Sequence, residues 1–108
     1  MSDALQELNV SGTWESTWAE LLSTIELSQI SPDYVVGTYL SHPQGDVYFA
    51  GALAGELNGR VFRGRWTDSK TTGRFALEFS ADGQTFSGTW GLTVMSDSDG
   101  GAWTGHRL

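Results

Sequence analysis

A glycine stands two residues before a large aromatic at four places: Gly12-Thr13-Trp14, Gly37-Thr38-Tyr39, Gly64-Arg65-Trp66 and Gly88-Thr89-Trp90. Two residues is the period of a β-strand, so each glycine and its aromatic share one face of one strand. The aromatics at 14, 39, 66 and 90 are roughly one β-hairpin apart each time. This repeat constrains the chain to a meander of strands in which every second strand carries the same device. It describes construction and names no chemistry.

The rest of the chain fits that reading. With 108 residues it forms one domain with a single core. Glycine is abundant and proline is confined to Pro32 and Pro43, a balance that suits bent strands and tight turns. A net charge of −7 argues against nucleic acid as a partner, because phosphate binding needs a basic surface. The absence of cysteine excludes disulfides and thiolate metal sites. No apolar run approaches the roughly 18 residues of a membrane helix. Met1-Ser2-Asp3-Ala4-Leu5 lacks a basic region followed by an apolar stretch, so no signal peptide is expected, and no membrane partner either.

Residues 1–10 are the only helix-permissive segment, with Leu5 and Leu8 three apart and Ser2 or Asp3 available as a cap. A short helical turn is expected there, followed by one β domain over 11–108. Alternation predicts eight strands, at about 11–17, 21–29, 34–41, 47–54, 60–67, 73–80, 84–95 and 102–107. Pro32-Asp33, His42-Pro43-Gln44-Gly45-Asp46, the polar loop 68–72 and Asp82-Gly83 mark turns, and Asn58-Gly59 reads as a type I′ pair. Trp18 is placed in the first turn, off the Trp14 face and near the surface. There it would contact another subunit or fold back over the barrel mouth. Eight short-linked strands are best satisfied by an all-β, antiparallel up-and-down barrel, a calycin-like meander, because closure removes the exposed edges. A flat sheet packed on a partner is the alternative.

Eighteen large side chains are expected to point inward: Trp14, Ile25, Leu27, Val35, Tyr39, Val47, Phe49, Leu53, Phe62, Trp66, Phe75, Leu77, Phe79, Phe86, Trp90, Leu92, Val94 and Trp103. An eight-stranded barrel is just wide enough to be filled or to hold one small ligand. The number of large groups favours filling, and the glycines at 12, 37, 51, 64, 88 and 105 free volume at one level. A pocket here would have aromatic walls, with Ser16, Tyr39, Ser41 and Asp68 as polar points near the strand ends.

Gly-Thr-Trp at 12–14, Gly-Thr-Tyr-x-Ser at 37–41, Trp66 on strand 5 and Trp90 followed by Gly-Leu-Thr on strand 7 resemble the avidin and streptavidin pattern. The chain is also similar to small Gly/Trp-rich bacterial meander domains. The avidin resemblance implies an eight-stranded barrel binding at one open end. It implies Tyr39 and Ser41 as hydrogen-bonding groups for a ureido oxygen, and Trp66 and Trp90 as aromatic walls. Three features depart from that family: Ser16 and, after a different turn, Glu20 stand where it has further polar contacts on strand 1 and the first turn, the connection at 42–46 is shorter, and the last strand ends Gly105-His106-Arg107-Leu108 without its late aspartate.

Five of the six basic residues, Arg60, Arg63, Arg65, Lys70 and Arg74, fall in one segment interrupted only by Asp68. That segment carries +4, leaving −11 for the remainder of the total of −7. Arg63, Arg65 and Arg74 are expected on the outer face of one hairpin. They form either an anion- or partner-docking patch, including an acidic face of a second copy, or a solvated face that resists aggregation. Asp97-Ser98-Asp99-Gly100 begins like a calcium loop, but Leu108 stands where the bidentate glutamate belongs, so an ordinary turn is expected. His42 and His106 are isolated, and no catalytic or phosphate-cradling motif is present.

These residues point to a non-enzymatic binding module, with no cofactor and no metal. It would take a small apolar or ring-shaped ligand at the open end, with Trp14, Tyr39, Ser41, Trp66 and Trp90 as the candidate binding residues. The alternative is a filled barrel acting through its surface as a protein-interaction or inhibitor-like domain, with a protein partner or a second copy.

Overall fold

Alternating sequence becomes alternating burial along almost every strand. The computed structural model describes residues 8–42 and 48–108. The strands are β1 (Gly12–Trp18), β2 (Leu21–Ser31), β3 (Tyr34–Ser41), β4 (Ala50–Asn58), β5 (Val61–Thr67), β6 (Thr72–Phe79), β7 (Thr85–Trp90) and β8 (Gly101–Arg107). Each pairs antiparallel with the next, and β8 pairs back onto β1 from Trp14↔Arg107 to Trp18↔Trp103. The sheet is therefore a closed up-and-down barrel, in which every strand has two neighbours. No helix occurs among the described residues. The expected helical turn in 1–10 lies outside them except for 8–10, which have no regular secondary structure. The turn at 43–46 and the inward placement of Val47 also lie outside them.

Several details differ from the sequence expectation. β4 is shifted toward its C-terminus, to Ala50–Asn58 rather than 47–54, which buries Leu57. Asn58 pairs with Val61, so the two central turn residues are Gly59 and Arg60. Only Gly59 has positive φ, at 64°, which is the sign pattern of a II′ turn rather than I′. The I′ pattern occurs instead between β1 and β2, where Ala19 and Glu20 adopt φ of 50° and 63°. Neither is a residue type that favours the left-handed region. β7 stops at Trp90, so Leu92 and Val94 are exposed rather than inward. The chain turns out of the barrel because side chains fold 91–100 on itself. Asp99 Oδ1 accepts from Leu92 N–H at 2.7 Å, and Thr89 Oγ1 donates to the Asp97 carbonyl at 2.8 Å. These bonds close a surface loop around the Asp97–Asp99 acids.

One end of the barrel is filled. Trp14, Phe62, Phe75, Phe79 and Phe86 interlock, with ring centroids 4.8–5.8 Å apart in the Trp14–Phe79, Trp14–Phe86, Phe62–Phe75 and Phe79–Phe86 pairs. Burying one such ring contributes roughly 1.5–3 kcal/mol. The segment before β1 caps this end. Val10 is fully buried, and its carbonyl accepts from Trp14 Nε1–H at 2.9 Å. Arg107 clamps the cap, lying 4.6 Å from the Trp14 ring. Its guanidinium donates to the carbonyls of Ser11 and Asn9, each at 2.8 Å, and of Gly83 at 3.1 Å.

The glycines act across strands rather than along them. Tyr39 faces Gly51 on β4, and Trp66 faces Gly73 on β6. A Cβ at Gly51 would stand 2.6 Å from Tyr39 Oη, and one at Gly73 would stand 2.5 Å from Trp66 Nε1. Each ring lies flat over the neighbouring strand because that strand offers no side chain there.

Candidate functional site

The β1–β2, β3–β4, β5–β6 and β7–β8 connections gather at the end opposite the cap. The last inward aromatic of each odd strand points into that mouth: Trp18 from β1, Tyr39 from β3, Trp66 from β5 and Trp90 from β7. Trp103, near the start of β8, and Phe49, just before β4, complete the walls. Together with Ala19, Leu21 and Asp68 they enclose a cavity of about 320 Å³. The barrel is thus filled below and hollow above. This partition accommodates both the filled core and the pocket that the sequence left as alternatives, although of the eighteen side chains expected inward Phe49, Leu92 and Val94 are exposed and Val47 lies outside the described residues.

The walls are fixed by one another. Trp18 makes edge-to-face contacts with Tyr39, Phe49 and Trp90, at centroid separations of 6.0, 5.8 and 5.5 Å. Trp66 stands edge-to-face with Trp90 at 6.1 Å, and its Nε1–H donates to the Gly91 carbonyl at 2.9 Å. Trp18 Nε1–H donates to Ser23 Oγ at 3.0 Å, and Ser23 exchanges a 2.7 Å bond with Ser16. Among the described residues, the buried Nε1 atoms of Trp90 and Trp103 have no hydrogen-bond partner. Both rings belong to edge-to-face pairs.

Asp68 is the only residue with an ionised side chain among the described residues that line the cavity. Its Oδ1 accepts from the backbone N–H groups of Lys70 and Thr71, both at 2.7 Å, which holds the carboxylate at the rim. Its charge is felt inside. Burial, and secondarily the Asp68 carboxylate, push the Tyr39 phenol up to about 12, so Tyr39 remains neutral at ordinary pH.

Of the residues anticipated from sequence, Tyr39, Trp66 and Trp90 come together at the cavity. Trp14 belongs to the filled end and is fully buried there. Ser41 is also buried, and its Oγ accepts from Phe49 N–H at 2.7 Å, which ties the strand end to the mouth. Ser16 is buried and bonded to Ser23. Trp18 is the principal correction. It ends β1 on the same face as Trp14, four residues on, instead of lying in a turn. The signal was available, since 14, 16 and 18 share one parity. Trp103 was expected inward, but its place in the wall follows only from β8 pairing with β1.

The basic residues do not form one patch. Arg60 is in the β4–β5 turn and Lys70 in the β5–β6 loop, so they lie at opposite ends of β5. Arg63, Arg65 and Arg74 are exposed on the outer face, with Arg65 directly opposite Arg74 and Arg63 opposite Glu56. Elsewhere on that outer surface, His106 Nε2 lies 3.7 Å from the Glu15 carboxylate.

Comparison of the chain with protein-family models, with curated proteins and with solved structures gives no match.

Proposed function

We propose that the chain is a non-enzymatic binding module that admits a small apolar or ring-shaped ligand to the hollow end of its barrel. The observation that carries this reading is the aromatic-walled cavity of about 320 Å³ above a fully packed base. A stable barrel needs no such space, and apolar walls with few polar points are the usual form of a small-ligand site. The volume lies near the lower end of ligand pockets, about 300–1,000 Å³, which suits one or two rings.

The avidin-like reading adds a ureido-type ligand. Of the two hydrogen-bonding groups it implies, Ser41 is already held by Phe49 N–H, which leaves the Tyr39 hydroxyl alone at the cavity. This supports an apolar ligand over a biotin-like one. Titration with the neutral dye N-phenyl-1-naphthylamine tests the proposal. The expected result is a saturable, one-to-one rise in dye fluorescence on the folded protein. No saturable rise, with circular dichroism showing the barrel intact, overturns it.

A second reading is association through the outer face of β3 and β4. There Val36, Leu40, Ala50, Ala52 and Ala54 form an apolar strip interrupted by Thr38, with Leu40 exposed. Light scattering after size exclusion tests it. A dimer converted to monomer by Leu40→Lys supports this reading, and a monomeric wild type removes self-association.

A further inference from the structure

Resting on the reading of the hollow end as a ligand site, we infer that its ligand is a cation whose charge is sheathed in alkyl groups, a quaternary ammonium. The walls offer several π faces and few hydrogen-bonding groups, chiefly the Tyr39 hydroxyl and the Asp68 carboxylate, the Nε1 atoms of Trp90 and Trp103 being buried. A ligand rich in N–H or O–H groups would leave water and find few partners, at a cost of about 1–3 kcal/mol for each unmade bond. Two classes of ligand escape that cost: a neutral apolar molecule and a peralkylated cation. Asp68 separates them.

Trp18 stands steeply against Tyr39, Phe49 and Trp90, with interplanar angles of 67–87°, and Trp66 stands at 74° to Trp90. Panels at steep angles form the walls of a box rather than a slot, and a compact cation within one meets the negative face of several rings. The single carboxylate stands at the rim of that box. Among the described residues, no hydrogen bond uses its Oδ2, whereas Oδ1 is held by two backbone N–H groups. No lysine, arginine or histidine lines the cavity among the described residues. A net charge of −7 adds a long-range field of the same sign. A neutral apolar ligand would gain nothing from Asp68 and would lose by dehydrating it. A cation uses both the rings and the acid.

Isothermal titration with three probes of similar size tests this inference. Choline carries a trimethylated cation, 3,3-dimethylbutan-1-ol is its neutral carbon isostere, and ethanolamine carries the same charge with N–H groups exposed. Choline is expected to bind at least tenfold more tightly than either of the others. Asp68→Asn, which keeps the Oδ1 acceptor of the loop, is expected to reduce choline binding to the level of the isostere, with the isostere bound no more weakly than by the wild type. Equal binding of choline and its isostere overturns the inference and leaves the apolar binding module standing. So does binding of the neutral dye with no binding of choline. Failure of the dye and of all three probes overturns both readings. Ethanolamine binding as tightly as choline overturns the requirement for alkyl groups.

Discussion

Replacing Gly73 with alanine tests how the barrel makes room for its rings. Gly73 on β6 lies directly opposite Trp66 on β5. An added methyl would stand 2.5 Å from Trp66 Nε1 and 2.7 Å from Cε2, and closer still to the Gly91 carbonyl oxygen. The indole N–H and that carbonyl are hydrogen-bonded at 2.9 Å, so the methyl is driven into the bond itself. Overpacking of this kind costs about 1–3 kcal/mol. Parting the buried pair adds about 1–3 kcal/mol. The lower chain entropy of unfolded alanine offsets this by about 0.4–1 kcal/mol. The net expectation is a loss of about 1–6 kcal/mol, which lowers the melting temperature by roughly 5–25 °C for a domain of this size. Urea unfolding followed by tryptophan fluorescence measures the free energy, and the Trp66 indole resonance in a ¹⁵N spectrum reports the ring. A change within about 0.5 kcal/mol, with that resonance unmoved, would refute the steric account of the glycines.

Three further outcomes follow from particular contacts. Ala19→Asn combined with Glu20→Gly relieves two left-handed residues in the β1–β2 turn, where φ is 50° and 63°. It should raise stability by about 1–2 kcal/mol, read from the urea midpoint. Arg107→Met keeps the aliphatic stem and removes the bonds to the Asn9, Ser11 and Gly83 carbonyls and the contact over Trp14. It should cost about 2–4 kcal/mol in thermal unfolding while leaving dye affinity at the far end unchanged. Tyr39 should ionise near pH 12 by absorbance at 295 nm, and Asp68→Asn should bring that transition down. Because this phenol binds its proton more tightly when folded than at its ordinary value of 10, its contribution to stability is present below pH 10 and is lost as pH rises toward 12.

The architecture was legible because its signal is periodic. Alternation over Phe75, Leu77 and Phe79, or over Phe62, Gly64 and Trp66, fixes which face of the strand turns inward, and short turns leave neighbouring strands to pair. The site was half legible. Tyr39, Trp66 and Trp90 carry the repeated glycine–aromatic signature and sit near the ends of their strands. Trp14 carries it too, yet β1 runs two further periods of alternation, to Trp18, and the signature residue falls in the packed base. Where a strand ends depends on its turn, and the β1–β2 turn uses Ala19 and Glu20, which give no turn signal. Leu92 and Val94 continue the alternation of β7 perfectly but leave the sheet, because Asp99 and Thr89 bond the loop back on itself. Local pattern cannot register that competition. The pairing of glycine and ring across strands, Tyr39 over Gly51 and Trp66 over Gly73, depends on register, which a two-residue spacing within one strand does not contain.

The five tryptophans allow a direct test of the central claim, that one end of the barrel is filled and the other receives a ligand. Four of them, Trp18, Trp66, Trp90 and Trp103, line the cavity, and Trp14 is sealed in the base. A ¹⁵N correlation spectrum resolves one indole N–H signal for each. On titration with N-phenyl-1-naphthylamine, the signals of Trp18, Trp66, Trp90 and Trp103 should shift together along one saturation curve while that of Trp14 stays in place. Shifts that include Trp14 equally, or that spare the other four, would contradict the account.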